Sequence, residues 1–385
     1  MDSRAAMRAL SEGAVVLLLD VPVGTELGLD YNPWNAGPRF RGIKSVPPGI
    51  HFLFCASVAG GGGRQTGPRT GHFLELAVGQ VAVFRFDPAD EELHRDPLVE
   101  EALDENRQGL LEFLGGLAPY PFDRGLKSWL SLTSRIDGAV LARTNPPAGR
   151  IGSVPSEADS TLDHIVAESA EPQGEAAAAP APMEECTAVL AEQGRIAAVE
   201  LDELRIRFTA IPQRFIPSGA SGEDISRWSI DRTPALLHVL DQFEKDHQLL
   251  GELQYAFVTF LLGQVYNSFE QWKSIVALLC NCEEALLSHP RLFLEFLGVL
   301  HFQIKETPDD FFTDIESGKN TLAPVMRNLF INLRTTKGVV PQVQELGEEL
   351  ERMLRNRFEF INLDDEDDED APLIVQEEQD NMVEE

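Results

Sequence analysis

LLGELQYAFVTFLLGQVYNSFEQW, residues 249–272, carries apolar side chains around nearly its whole helical circumference. Glu252 and Gln254 interrupt it, so it falls short of the ~18 uninterrupted apolar residues of a membrane span. The spacing predicts one central helix packed on several sides. From Pro234 to Phe358 the apolar residues keep helical spacing and no strand pattern stands out. Pro290, Pro308, Pro324 and Pro341 fall where a first helical turn tolerates a missing N–H, which divides the stretch into helices of about 12–18 residues. In the last of them, PQVQELGEELERMLRNRFEF, acids come early and Arg352, Arg355 and Arg357 late, in line with the helix macrodipole.

Upstream the period changes to that of strands. AVVLLLDVP, GIHFLFCASV, GHFLELAV and QVAVFRFD are short β-rich runs separated by turn chemistry. Pro48-Gly49 suits the centre of a type II turn, with Gly at φ > 0. AGGGGRQTGP reads as a flexible hairpin loop, and it lacks the Gly-Lys-Ser/Thr ending of a phosphate loop. DPLVEEALDENRQGLLEFLGGLAPYP reads as one amphipathic helix, with Asp96 as N-cap, Pro97 at N1 and Gly115-Gly116 at its end. Between the halves no aromatic residue occurs from Trp129 to Phe208, and the intervening Pro/Ala/Ser/Glu-rich chain cannot bury enough to offset ~1–2 kcal/mol of backbone entropy per residue. The expected organisation is an α+β multi-domain chain: a strand-dominated domain over 1–144, a disordered linker or insertion over 145–200, an all-α domain over 201–363, and a disordered acidic tail over 364–385.

The 385 residues carry a net charge of -31. Charge of that sign repels nucleic-acid phosphates and anionic membranes, and favours basic protein partners or simply solubility. Cys55, Cys186, Cys280 and Cys282 have no framework spacing, which points to reduced thiols in a cytoplasmic or nuclear setting. Ala14–Leu19 runs at once into Asp20 and lacks a cleavage site, so no secretory signal is expected.

Catalytic signatures are missing: no Gly-x-Ser-x-Gly, no His-Glu-x-x-His, no Gly-x-Gly-x-x-Gly after a strand. Cys280-Asn281-Cys282 is too tight for a zinc arm, and packing in a helix interface is the better account of it. The densest unusual stretch is GTELGLDYNPWNAGPRFRGIKSVPPGIHF, in which Tyr31, Trp34, Arg41 and Lys44 make the Tyr/Trp/Arg mix of a binding hot spot. A plainer reading has Tyr31 and Trp34 closing a small core, with Asp30 paired to Arg39 or Arg41 and with Arg41 and Lys44 outward.

GTELGLDYNPW, GPRFRGIKSVPPGIHF and GPRTGHFLEL resemble the N-terminal signature of the Aar-two splicing-factor family, and LLGELQYAFVTFLLGQVYNSFEQWKSIVALLC and PDDFFTDI continue the resemblance in the second half. The resemblance implies an N-terminal β-sandwich domain followed by a helical domain. It implies an assembly chaperone of the U5 small nuclear ribonucleoprotein in pre-mRNA splicing. The partner would be the large U5 core scaffold protein, contacted at its RNase H-like and Jab/MPN domains so that loading of the U5 RNA helicase is delayed. It also implies a tail segment that adds as a strand to the partner; APLIVQE, with Leu373, Ile374 and Val375, holds that position here, although the acidic run before it departs from the family pattern.

The tail reads the same way from its residues. Seven consecutive acids, Asp364 to Asp370, precede an apolar triplet that a disordered tail has no core to bury. Such a strand suits β-augmentation. Burying three apolar side chains yields ~5–8 kcal/mol, against ~1–2 kcal/mol per residue ordered, so the tail alone binds weakly and gains from tethering. Folding back onto the chain's own helical domain, and a purely solubilising role for the acids, stay open beside this. Ser156 and Thr307, each with an acid three residues on, are candidate phosphosites. No cofactor, metal, membrane or direct nucleic-acid contact is expected, the chain is expected to be a monomer, and it is read as a binding protein and not an enzyme. A general acidic chaperone for basic proteins is the alternative; an enzyme would need Asp30, Ser45 and His51 to converge.

Overall fold

The structure is a computed structural model that describes residues 13–58, 66–123, 125–152, 202–307 and 323–357. Ten strands form two five-stranded sheets. The first is ordered β8 (Glu92–Arg95), β7 (Val81–Asp87), β1 (Ala14–Leu19), β4 (Gly42–Val46), β9 (Leu117–Pro119). The second is ordered β10 (Ile151–Gly152), β6 (Thr66–Leu76), β5 (Gly49–Val58), β2 (Glu26–Leu29), β3 (Asn32–Asn35).

The strand period accounts for how they stack. On β1, Ala14, Val16 and Leu18 face Leu27, Leu29, Leu53 and Leu74 of the other sheet, which makes the sandwich core. The alternate residues Val15, Leu17 and Leu19 pack outward against Leu103, Leu110 and Leu117. A strand buried on both faces reads as an unbroken apolar run, as AVVLLL does. On β5, Leu53 and Cys55 face the sandwich core, whereas Phe52 and Phe54 face the helices of the second half.

That outward face of β5 is where the two halves meet. Phe52, Phe54 and Phe73 share one hydrophobic core with Trp129, Tyr255, Phe257 and Trp272. Helices α2 (Leu126–Thr133) and α3 (Gly138–Thr144) line the junction, and Trp129 donates its indole N–H to the Ile50 carbonyl at 2.7 Å. Arg69 adds a polar link, donating to Leu262 O at 3.1 Å and to Glu26 Oε1 at 2.6 Å while lying over the Phe54 ring. The halves are two segments of sequence on one packed body.

The second half holds α4 (Gly222–Trp228), α5 (Thr233–Leu240), α6 (His247–Leu261), α7 (Tyr266–Cys280), α8 (Ala285–Ser288), α9 (Pro290–Glu306), α10 (Ala323–Thr335) and α11 (Pro341–Arg357). Pro290 and Pro341 open α9 and α11, and Pro324 lies in the first turn of α10. Gln248 through Thr259 of α6 are all buried, as an all-round apolar helix requires. Buried Glu252 of α6 accepts from Thr209 N, Thr209 Oγ1 and Gln271 Nε2, tying the incoming chain to the core. Cys280 and Cys282 are buried in the same core, and burial pushes both thiols up, away from reactivity.

Three expectations are corrected. The single central helix is two: the chain breaks after α6 at Gly263 and at Gln264, whose φ is 57°. The break frees the Leu262 carbonyl for Arg69 and brings Gly263 close under Phe52. The helix expected to run to Gly115-Gly116 stops at Glu105; Asp96 caps α1 (Pro97–Glu105) as expected, but Asn106 is non-helical and two 3-10 turns follow. Those turns lay Leu110, Phe113 and Leu114 over the outer face of the first sheet, which a straight helix would leave. Lastly, order continues past residue 144: Ile151 is fully buried, and β10 pairs with Thr70 and Gly71. The chain returns beside its exit, with Ala148 N donating to Glu203 O at 3.0 Å and Arg207 N to Thr144 O at 2.9 Å. Residues 153–201 lie outside the described residues.

Candidate functional site

The β2–β3 hairpin carries Tyr31 and Trp34 and is held by a buried carboxylate. Asp30 sits at the turn with φ 57° and no exposed surface. Its side chain accepts from Phe52 N at 3.0 Å and Tyr120 Oη at 2.7 Å, and meets His51 Nδ1 at 2.8 Å. The pairing with Arg39 or Arg41 read from sequence is therefore corrected: the partners come from β5 and from the chain after β9. Burial, reinforced by Asp30, pushes the Tyr120 hydroxyl above its ordinary range.

Asp30 and His51 do converge, yet Ser45 is not part of their network. The second ring nitrogen of His51 faces the Pro47 carbonyl at 2.7 Å, so among the described residues the pair offers no free base to a nucleophile. Asp87, Asp90 and His94 could reach a common cation, but Asp90 already bonds His94 at 2.6 Å and pairs with Arg150 at 3.4 Å. That cluster reads as surface ion pairing.

Tyr31 and Trp34 project from the hairpin into one open cavity of about 550 Å³. Pro33 and Asn32 of the hairpin, Pro121, Gly125 and Ser128 before and within α2, and Glu306 at the end of α9 complete its described lining. Tyr31 meets Trp129 edge-on with ring centres 6.5 Å apart, and Trp34 leans on Phe40 at 5.7 Å. Among the described residues neither the Tyr31 hydroxyl nor the Trp34 indole N–H has a hydrogen-bond partner, although both atoms are shielded from solvent. Burial pushes the Tyr31 hydroxyl up, and Glu306 adds to the shift.

Each of these two rings packs on a neighbour, as the plainer reading has it, and each also faces the cavity. Arg41 and Lys44 lie apart, just before β4 and on it, in the other sheet's half of the sandwich. Arg41 is exposed next to Gly116, and Lys44 lies on β4 opposite Pro119 of β9. Glu306 escaped sequence reading, because nothing local in KETPDD links it to a hairpin far upstream. Thr307 is corrected as an accessible phosphosite: it is 2% exposed and its hydroxyl donates to Ile304 O at 2.7 Å, so a kinase has no access to it in this fold. Ser156, Leu373, Ile374 and Val375 lie outside the described residues.

Comparison with known proteins adds two family matches and several relatives. Residues 12–146 match the AAR2 N-terminal domain and residues 208–362 match the AAR2 C-terminal repeat region. The chain is 36% identical to the Protein AAR2 homolog of Homo sapiens over 382 residues, covering 98% of this chain and 97% of the relative. It is 36% identical to the Mus musculus homolog with the same coverage, and 32% identical to that of Caenorhabditis elegans over 90% of this chain and 94% of the relative.

Proposed function

The chain belongs to the AAR2 family, and on that premise we propose that it serves pre-mRNA splicing as an assembly chaperone of the U5 small nuclear ribonucleoprotein, acting by occupancy and not by catalysis. The partner is the large U5 core scaffold protein, held at its RNase H-like and Jab/MPN domains. Occupying that surface delays loading of the U5 RNA helicase, in the cytoplasm and before or during passage to the nucleus. The observation that supports this reading most is the family match over both halves of one packed body.

The geometry is compatible with such a mechanism. One shared core gives the chain a single rigid surface for a large partner, so little is lost to domain ordering on binding. The end of α11 is pinned: Arg357 donates to the carbonyls of Ile304, Lys305 and Thr307 at the end of α9. The tail therefore starts from a fixed point, and the segment leading to Leu373 can span about 50 Å at full extension. A weak strand on such a tether gains effective concentration from the docked body.

The test is binding of the full chain to a purified RNase H-like plus Jab/MPN fragment. It is compared with a truncation after Leu363 and with the triple change Leu373→Asp, Ile374→Asp, Val375→Asp. Both variants should bind at least tenfold more weakly. If the truncation weakens binding and the triple change does not, the acids act alone and strand addition is wrong. A full chain that does not bind the fragment removes the assembly reading.

A further inference from the structure

We propose that the cavity between the β2–β3 hairpin and the end of α9 is a receptor for a basic side chain, arginine or lysine, presented on an extended segment of a partner polypeptide. The inference does not depend on the scaffold assignment and would hold for any partner offering such a segment.

Three observations converge on a cation. Tyr31 and Trp34 bring two electron-rich rings to one cavity, and ring faces attract guanidinium and ammonium groups. Glu306 lines the same cavity, partly buried, and among the described residues it has no ion-pair or hydrogen-bond partner. Its charge is felt at the Tyr31 hydroxyl, whose ionisation it opposes, so carboxylate and phenol share one electrostatic environment. Moreover, Glu306 ends α9, where the helix dipole is negative. Arg357 donates to the Ile304 and Lys305 carbonyls there, and among the described residues none pairs with the Glu306 carboxylate.

The remaining polar groups specify how the cation arrives. Among the described residues Trp34 Nε1 is a donor without an acceptor, and the Tyr31 hydroxyl has no partner either. Backbone carbonyls of an extended chain supply acceptors beside the side chain they carry, and the tyrosine oxygen can accept from the guanidinium or ammonium. A phosphate or carboxylate ligand would meet Glu306 and the net charge of -31 unfavourably. A neutral ligand leaves Glu306 as unmatched as before.

The experiment titrates the full, 15N-labelled chain with acetyl-Gly-Arg-Gly-amide and with the same peptide carrying citrulline, the neutral isostere of arginine. The readout is the indole N–H resonance of Trp34, identified by its loss in Trp34→Phe. A saturable shift is expected with the arginine peptide, and at least tenfold weaker binding with citrulline. Glu306→Gln should weaken the arginine peptide at least tenfold, with the remaining indole resonances unmoved as the check that the variant is folded. Equal binding of the two peptides, no shift with either, or arginine binding retained in Glu306→Gln overturns the proposal. The scaffold titration is a separate readout: its failure would remove the assembly reading and leave the cavity to be judged by the peptides.

Discussion

Asp30→Ala should be among the most damaging single changes on the sheet side of the molecule. The alanine leaves three buried groups facing nothing: Phe52 N–H, the Tyr120 hydroxyl and His51 Nδ1. Each orphaned group costs about 1–3 kcal/mol. Alanine is also poorer than Asp or Asn at φ 57°. Water entering the vacated space recovers part of this, which puts the net loss at about 3–5 kcal/mol, a large share of a typical ~5–15 kcal/mol total. Asp30→Asn is the discriminating control. The amide oxygen keeps the Phe52 bond, and the new N–H groups can be accepted by Tyr120 Oη and by His51 Nδ1. The latter bond requires the tautomer with its proton on Nε2, toward the Pro47 carbonyl. Asparagine also tolerates the left-handed backbone, so its cost should stay near ~1 kcal/mol. Urea unfolding followed by tryptophan fluorescence measures both, with unchanged m-values required for the comparison. The reasoning fails if alanine costs no more than asparagine, or if alanine behaves like a surface change of ~0.5 kcal/mol.

Two further outcomes follow from single residues. Burial pushes His72 down to about 4 from its ordinary 6.5, its ring lying between the carbonyls of Gly149 and Leu93. A depressed histidine resists protonation in the folded state, so its contribution is present above pH ~6.5 and is lost as pH falls toward ~4, at 1.36 kcal/mol per unit about 3 kcal/mol in all. Urea midpoints across that window should fall for the wild type and flatten in His72→Gln; parallel curves would show that His72 is not the titrating group. Gly28→Ala would put a Cβ 2.0 Å from the Phe54 ring, in the strand face that joins the two halves. Repacking should cost about 1–3 kcal/mol, read as a lowered Tm in thermal unfolding, and an unchanged Tm would mean that the ring can move aside freely.

Much of the fold was legible because periodicity is local. AVVLLL, GIHFLFCASV and QVAVFRFD became β1, β5 and β7, and the prolines opened α9 and α11 as the missing N–H requires. The short strands β2, β3 and β4 were hidden in a stretch whose glycines and prolines read as loop. β2 and β4 pair with β5 and β1, which no short window of adjacent residues contains, and β3 is held only as the edge partner of β2. The site divides in the same way. Tyr31 and Trp34 stood out by residue type, whereas Arg41 and Lys44 were grouped with them only by adjacency and lie before and on β4 of the other sheet.

The sequence by itself determined the strand-then-helix order, the acidic charge and the family resemblance, since each is written in composition, short spacing or a contiguous motif. Only tertiary structure decided that the two halves share one core, because Phe52 and Phe54 choose their neighbours by packing against α6 and not by position along the chain. Tertiary structure also broke the apolar run at Gly263-Gln264, where Arg69 from the sheet takes up the freed Leu262 carbonyl. It assigned Asp30 to His51 and Tyr120, and it brought Glu306 to the wall of the Tyr31–Trp34 cavity. Each of these rests on contact between segments far apart in the chain, and such contacts form only when the whole apolar surface is buried at once.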